Sequence, residues 1–149
     1  MLYLHIPFCK QKCSYCNFHF STSFKLKEEM ISAIKKEIFL RKDELEKKTL
    51  SSLYFGGGTP SILSVDEIKS LIDEVLKYFD FDKNIEITLE ANPDDLNKNF
   101  LKDLAKTEIN RLSIGTQSFF EEDLKLMNRA HNASEAESSI KRAQDFGFE

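Results

Sequence analysis

Four short apolar runs, each followed by a segment of helical period, constrain this chain more than any other feature. Leu2–Ile6, Ser52–Phe55, Ile85–Leu89 and Arg111–Ile114 read as strands. After the first, Met30, Ile31, Ile34, Ile38 and Leu45 recur among charges and predict one long amphipathic helix from Lys25 to Lys48. Ser64 with Glu67 reads as a capping box, opening a helix with Ile68, Leu71, Ile72, Val75, Leu76 and Phe79 on one face. A third helix is expected from about Asn97 to Lys106, burying Phe100, Leu101 and Leu104. Ser118 and Glu121 repeat the capping-box spacing before a short helix to about Met127; a last helix runs from about Ser134 to Phe146, with Gly147 where a C-cap glycine belongs. Such alternation predicts an α/β fold: a parallel sheet of about four βα units with right-handed crossovers. With no repeat, low-complexity tract or linker, residues 1–149 are expected to form one domain. A complete (β/α) barrel needs about 200 residues or more. The chain is therefore expected to be the N-terminal part of a longer protein, stopping where a fifth strand would begin. A small free-standing α/β sheet is the alternative.

Composition narrows the function classes. Acidic residues number 25 against 21 basic, a net charge of −4, and no Lys/Arg cluster interleaves with aromatics, which argues against a nucleic-acid surface. Lys35-Lys36 and Lys47-Lys48 read as solvated helix faces. No apolar run approaches membrane length, and the N-terminus has neither the basic nor the apolar region of a cleavable leader. A cytoplasmic, reducing location is expected, and it suits free thiolates.

All three cysteines of the chain fall in one loop after the first strand, spaced Cys9-x3-Cys13-x2-Cys16. An odd number in one short loop makes no disulfide framework. Metal binding remains. A zinc-binding interaction module would need a fourth ligand, for which His5 and His19 are near enough in sequence, but zinc ligands usually come as two separated pairs. Closely spaced thiolates also hold iron–sulfur clusters. A four-iron cluster on three cysteines keeps one iron open, as catalytic metals do.

In parallel α/β folds, functional groups gather at the C-terminal ends of strands. Here each post-strand loop carries candidates. The second holds Gly56-Gly57-Gly58-Thr59-Pro60, able to approach a ligand closely and lacking the lysine of a phosphate loop. The third holds Glu90, suited to ribose hydroxyls or else a solvated carboxylate; the fourth holds Gln117, which both donates and accepts. Arg129 can grip a carboxylate bidentately, or can be a surface helix-end cation.

The cysteine spacing, with Tyr15 before the last cysteine, resembles the motif of radical S-adenosylmethionine (SAM) enzymes. Tyr3-Leu-His5-Ile-Pro-Phe-Cys9, Gly56-Gly-Gly-Thr-Pro60-Ser61, Glu90-Ala-Asn-Pro93, Asn110 through Phe119, and Asn128-Arg129 then follow in the order of one family of that superfamily, the oxygen-independent coproporphyrinogen III oxidase family. The resemblance implies the N-terminal part of a partial (β/α) barrel holding a 4Fe-4S cluster and SAM, the open iron binding the amino and carboxylate groups of SAM. It implies Cys9, Cys13 and Cys16 as cluster ligands, and Tyr3, Tyr15, Gly57, Gly58, Thr59, Glu90, Gln117 and Arg129 at the SAM site. It further implies an electron donor such as a flavodoxin or ferredoxin, and a heme or porphyrinogen partner.

One position divides the family. The decarboxylating oxidases resemble Cys-x3-Cys-x2-Cys-x-Cys, whereas this chain has Phe18 two residues after Cys16. The Cys-x-Phe form resembles the heme-chaperone branch. A heme chaperone is therefore the first expectation, and an oxidase converting the propionates of coproporphyrinogen III to vinyl groups the second. His131 invites a reading as a heme ligand; a polar residue near a helix N-terminus is the simpler one. His5 and His19 are expected to pack or hydrogen-bond beside the cysteine loop.

Overall fold

The structure, a computed structural model, describes residues 1–149. It runs β1 (Leu2–Ile6), α1 (Lys27–Arg41), β2 (Thr49–Gly57), α2 (Val65–Leu76), β3 (Asp80–Ala91), α3 (Lys98–Leu104), β4 (Arg111–Ile114), α4 (Glu121–Leu126) and α5 (Ala133–Asp145). The four strands form one parallel sheet in the order β1-β2-β3-β4. That is the expected α/β alternation, since a parallel neighbour requires a crossover and each crossover here carries a helix.

Register separates the sheet into two faces. Leu4 lies beside Phe55, Leu53 beside Ile87 and Leu89 beside Leu112, so these side chains share one face. They are buried with Ile31, Ile34 and Ile38 of α1 and with Ile68, Leu71, Ile72 and Val75 of α2 in one core. Leu101 and Leu104 of α3 and Ala143 of α5 close the far side of the same core. The opposite face carries no helix. It presents Tyr3 beside Tyr54 beside Thr88 beside Arg111, and one row further along His5, Gly56, Glu90 and Ser113.

Several boundaries differ from the sequence reading. The first helix stops at Arg41, not Lys48: Arg41 ion-pairs with Glu37 and Glu44, and Leu45 packs on the core from the loop beyond. Lys47 and Lys48 are therefore exposed loop residues. The strands β2 and β3 are longer than their apolar runs, because backbone pairing continues through Thr49–Asp80 and Leu50–Phe81, past a bulge between Leu50 and Ser52. Leu76 is exposed, and Phe79 is buried from the turn after α2. Ser64 and Glu67 do form the capping box. Ser118 does not cap α4: its hydroxyl donates to Asp123 and accepts from the Phe120 amide, and the helix begins only at Glu121. The second true capping box joins Asn132 to Glu135 at the start of α5. Gly147 ends α5 at φ +86°, as a C-cap glycine does.

The open edge of β4 has begun to pair. The Glu149 amide donates to Asn110 O at 3.2 Å, and its carbonyl accepts from the Leu112 amide at 2.9 Å. These two bonds flank Arg111 and are the pattern of a parallel neighbour. No helix of the chain is long and apolar enough to cross a membrane.

A core truncation measures how far the fold rests on the helix-covered face. Leu89 is fully buried between both neighbouring strands. Leu89→Ala is expected to lower unfolding stability by about 2–5 kcal/mol in urea denaturation, whereas Leu76→Ala at the exposed end of α2 should cost far less.

Candidate functional site

The four post-strand loops meet at the C-terminal end of the sheet and line one cavity of about 260 Å³. Cys9, Cys13, Cys16 and Tyr15 come from the first loop, Gly57, Gly58 and Thr59 from the second, Glu90 and Asn92 from the third, and Gln117 with Arg129 from the fourth. Sequence separations above one hundred residues are thus brought to one place by the parallel topology alone.

The cysteine loop is pinned at its base. On one side the Cys9 amide donates to Ser21 O and the Ser21 amide to Pro7 O, at 3.0 and 2.8 Å. On the other, the Gly58 amide donates to Ile6 O and the Thr59 amide to Phe8 O, both at 2.8 Å. This second pair extends the β1–β2 ladder beyond both strands and explains Gly58. A Cβ there would stand 2.6 Å from Phe8 O and 3.0 Å from Cys9 Sγ, so only glycine admits the cysteine loop so close. Gly57 has φ +116°, which a side chain would strain, and its amide donates to Glu90. The glycine run therefore serves the packing of the two loops as well as any approach to a ligand.

Glu90 is no solvated loop carboxylate. It accepts from Tyr54 Oη at 2.8 Å and from the Gly57 amide at 3.1 Å, which fixes it at the cavity wall. Burial and then the hydrogen bond to Glu90 push the Tyr54 hydroxyl above its ordinary range, so it stays a donor. Tyr3 departs from expectation: the alternation of β1 turns it onto the open sheet face rather than into the cavity, stacked on Tyr54 with its hydroxyl 3.1 Å from His5 Nδ1. His5 hydrogen-bonds as expected, while His19 is exposed.

Gln117 stands at φ +63° in the turn after β4, exposed at the cavity rim. Arg129 is no surface cation. Its Nη2 donates to Asn92 Oδ1 at 2.8 Å and Gly115 O at 2.7 Å, and its Nη1 to Cys13 Sγ at 3.2 Å and Tyr15 Oη at 3.3 Å. Its Nε is buried without a partner. Such an orphaned donor beside a cavity fits an anionic ligand, since a buried cation's unpaired N–H is costly.

Lys10, Asn92, Ser61 and Asp95 were not singled out by sequence reasoning. Lys10 Nζ bonds Asp94 at 2.8 Å and also contacts Asp95, whose other oxygen accepts from Ser61 Oγ at 2.5 Å. Partial burial acts to lower the Lys10 pKa, but hydrogen bonds to both carboxylates raise it further, so the ammonium holds. This clamp ties the cysteine loop to the second and third loops. No periodicity marks such residues; only Ser61 and Asn92 lie in segments that carry the resemblance, Gly56-Gly-Gly-Thr-Pro60-Ser61 and Glu90-Ala-Asn-Pro93.

The thiols suit a cluster better than a lone ion. No group of three Cys, His, Asp or Glu side chains converges on one point, whereas the three thiolates of an iron–sulfur cluster each hold a different iron. Burial pushes the Cys9 thiol up; a hydrogen bond from Thr59 Oγ1 at 3.4 Å opposes this, and the neighbouring Cys16 and Cys13 add to it. A cluster held there would require the Cys9 thiol to give up its proton.

His131 stands just before the N-terminus of α5, as the simpler reading expects, and it is buried there. Its Nε2 lies 3.0 Å from Thr116 O, and its Nδ1 has no partner. Burial lowers its pKa, the charge of Arg129 adds to this, and the Thr116 carbonyl, Asp94 and Glu135 oppose it. A folded-state pKa below the unfolded value of about 6.5 contributes stability present above that pH and lost as pH falls through the folded value. Thermal midpoints are expected to fall on acidification from pH 7.5 to 5.5, and His131→Gln to flatten the part of that fall near neutrality.

Comparison with known proteins agrees with this geometry. The radical SAM superfamily model matches residues 3–149. The chain is 39% identical over 153 residues to the heme chaperone HemW of Haemophilus influenzae, covering 99% of this chain and 40% of that one. It is 36% identical to HemW of Escherichia coli over 99% of this chain and 39% of that one. A mitochondrial radical S-adenosyl methionine domain-containing protein 1 of Dictyostelium discoideum is 38% identical, over 97% of this chain and 36% of that one. The solved structure of coproporphyrinogen III oxidase (HemN) from Escherichia coli, described as a radical SAM enzyme, superposes with a TM-score of 0.89 at 31% identity, over 99% of this chain and 34% of that one. This chain thus spans about two fifths of the length of the HemW proteins it matches. Pinned thiols, a glycine cradle and a matching family model over nearly every residue place the chain in the radical SAM superfamily.

Proposed function

We propose that this chain is the cofactor-holding part of a HemW-like heme chaperone. Cys9, Cys13 and Cys16 would hold a 4Fe-4S cluster, and SAM would occupy the remainder of the cavity. When bound, the cluster and SAM supply one-electron radical chemistry that side chains lack. The protein's own share is positional. Backbone at Gly57–Thr59 offers close approach, and Glu90 is pre-aimed by Tyr54 for hydroxyl groups of the cofactor. Tyr15 and Gln117 form the rim, and the free Nε–H of Arg129 suits a carboxylate. Tyr3 remains a contact for a ligand that extends below the cavity along the open sheet face. An electron donor of the flavodoxin or ferredoxin kind would deliver charge to the cluster.

The observation that carries the chaperone reading is Phe18. It stands where the oxidase branch has its fourth cysteine, it is 78% exposed, and it can neither ligate metal nor do thiol chemistry. The similarity to HemW proteins at 34–39% identity supports the same branch. The oxidase is the second reading, favoured by the structural likeness to HemN.

The two separate on products. The protein extended to the length of its relatives is expected to bind heme at about one per chain, read from the Soret band. It should form no vinyl groups or carbon dioxide from coproporphyrinogen III with SAM and reductant under anaerobic conditions. Vinyl products would make it an oxidase.

A further inference from the structure

Arg129 is held by contacts that owe nothing to a cofactor. Its backbone follows α4, whose last turn is laced to the cysteine loop. The Ser14 amide and hydroxyl donate to Met127 O and Leu126 O, at 3.1 and 2.9 Å. Gln11 Nε2 donates to Asn128 O, and Asn128 Nδ2 donates back to Lys12 O, at 2.5 and 2.8 Å. Asn128 takes φ +53° to make that turn. The guanidinium plane is then fixed from its Nη2 side by Asn92 Oδ1 and Gly115 O, at the ends of β3 and β4. With that nitrogen occupied twice, Nη1 is aimed at Cys13 Sγ, 3.2 Å away.

A permanent cation donating to a thiolate that ligates iron has a defined electrostatic effect. Reduction adds one negative charge to the cluster, and a positive donor at a ligand sulfur stabilises the reduced form more than the oxidised one, raising the potential. Cys9 receives only a neutral and longer contact, from Thr59 Oγ1 at 3.4 Å. We propose that Arg129 sets the reduction potential of the cluster through Cys13, in addition to any grip on a carboxylate, and that Asn92 is the positioning residue that aims it. The inference rests on the cluster reading above. It assigns the thiolate to Nη1, which is separate from the Nη2 that Asn92 and Gly115 hold.

The test is an EPR-monitored redox titration with dithionite of the reconstituted chain, without SAM. The variants are Arg129→Met, Arg129→Lys and Asn92→Ala, each checked for iron and sulfide content and for secondary structure. Arg129→Met is expected to make the reduced-to-oxidised ratio at the wild-type midpoint fall about tenfold, equivalent to ~59 mV for a one-electron couple. Arg129→Lys should recover part of that, and Asn92→Ala, which leaves the charge but frees its aim, should lower the ratio by less. If Arg129→Met loses its cluster, the other two variants still decide. Unchanged midpoints in cluster-bearing variants would overturn the inference. A wild-type chain that takes up no cluster would instead overturn the cluster reading on which it rests.

Discussion

The structure depends on one continuation of backbone pairing. The β1–β2 ladder does not stop where the strands end: Gly58 and Thr59 go on donating to Ile6 and Phe8, and so carry the first two post-strand loops along together. Parallel strands ordinarily diverge into separate loops, but here the absence of a side chain at Gly58 lets the second loop rest on the Phe8 backbone and the Cys9 sulfur. The remaining loops are referred to that pair. Glu90 reaches back to the Gly57 amide, Lys10 reaches across to Asp94 and Asp95, and Arg129 closes the ring onto Cys13. A cluster of three thiols in a loop of little regular structure is thereby given a rigid frame.

The two faces of the sheet divide the work. The helix-covered face is a continuous apolar core and supplies stability. The open face is polar and aromatic: Tyr3 stacks on Tyr54, Tyr54 donates to Glu90, and Arg111 donates to Thr88, rather than packing under helices. A face left uncovered in this way can receive ligand or further chain without disturbing the core. The cavity sits where that face meets the loops, so its wall residues are fixed by strands while its rim, Tyr15 and Gln117, is borne by turns.

Much of this was legible in the sequence, and the rest failed for physical reasons. Strand–helix alternation is periodic, so the parallel sheet could be read directly, as could the Ser64 capping box and the terminal Gly147. Element ends were not legible, because β2 and β3 lengthen by backbone pairing that side-chain pattern does not record. Ser118 matched a capping-box spacing, yet its hydroxyl bonds Asp123 instead, a competition no spacing resolves. Loop position made Glu90, Gln117 and Arg129 candidates with plain surface alternatives, and only the family resemblance singled them out; in the structure all three line the cavity with the cysteines. Neither foretold that Arg129 bonds a thiol, that His131 is buried, or that Tyr3 stands on the open face. Those facts depend on side-chain direction within a three-dimensional frame.

The central claim is that one cavity holds a cluster with an open iron beside a SAM pocket formed by the other three loops. EPR of the chain reconstituted anaerobically with iron and sulfide and then reduced, recorded with and without SAM, tests it most directly. The account predicts a four-iron signal whose shape changes when SAM is added. A four-iron signal indifferent to SAM would contradict the claim that the loops form a cofactor pocket here, and a colourless protein carrying stoichiometric zinc would contradict the cluster itself.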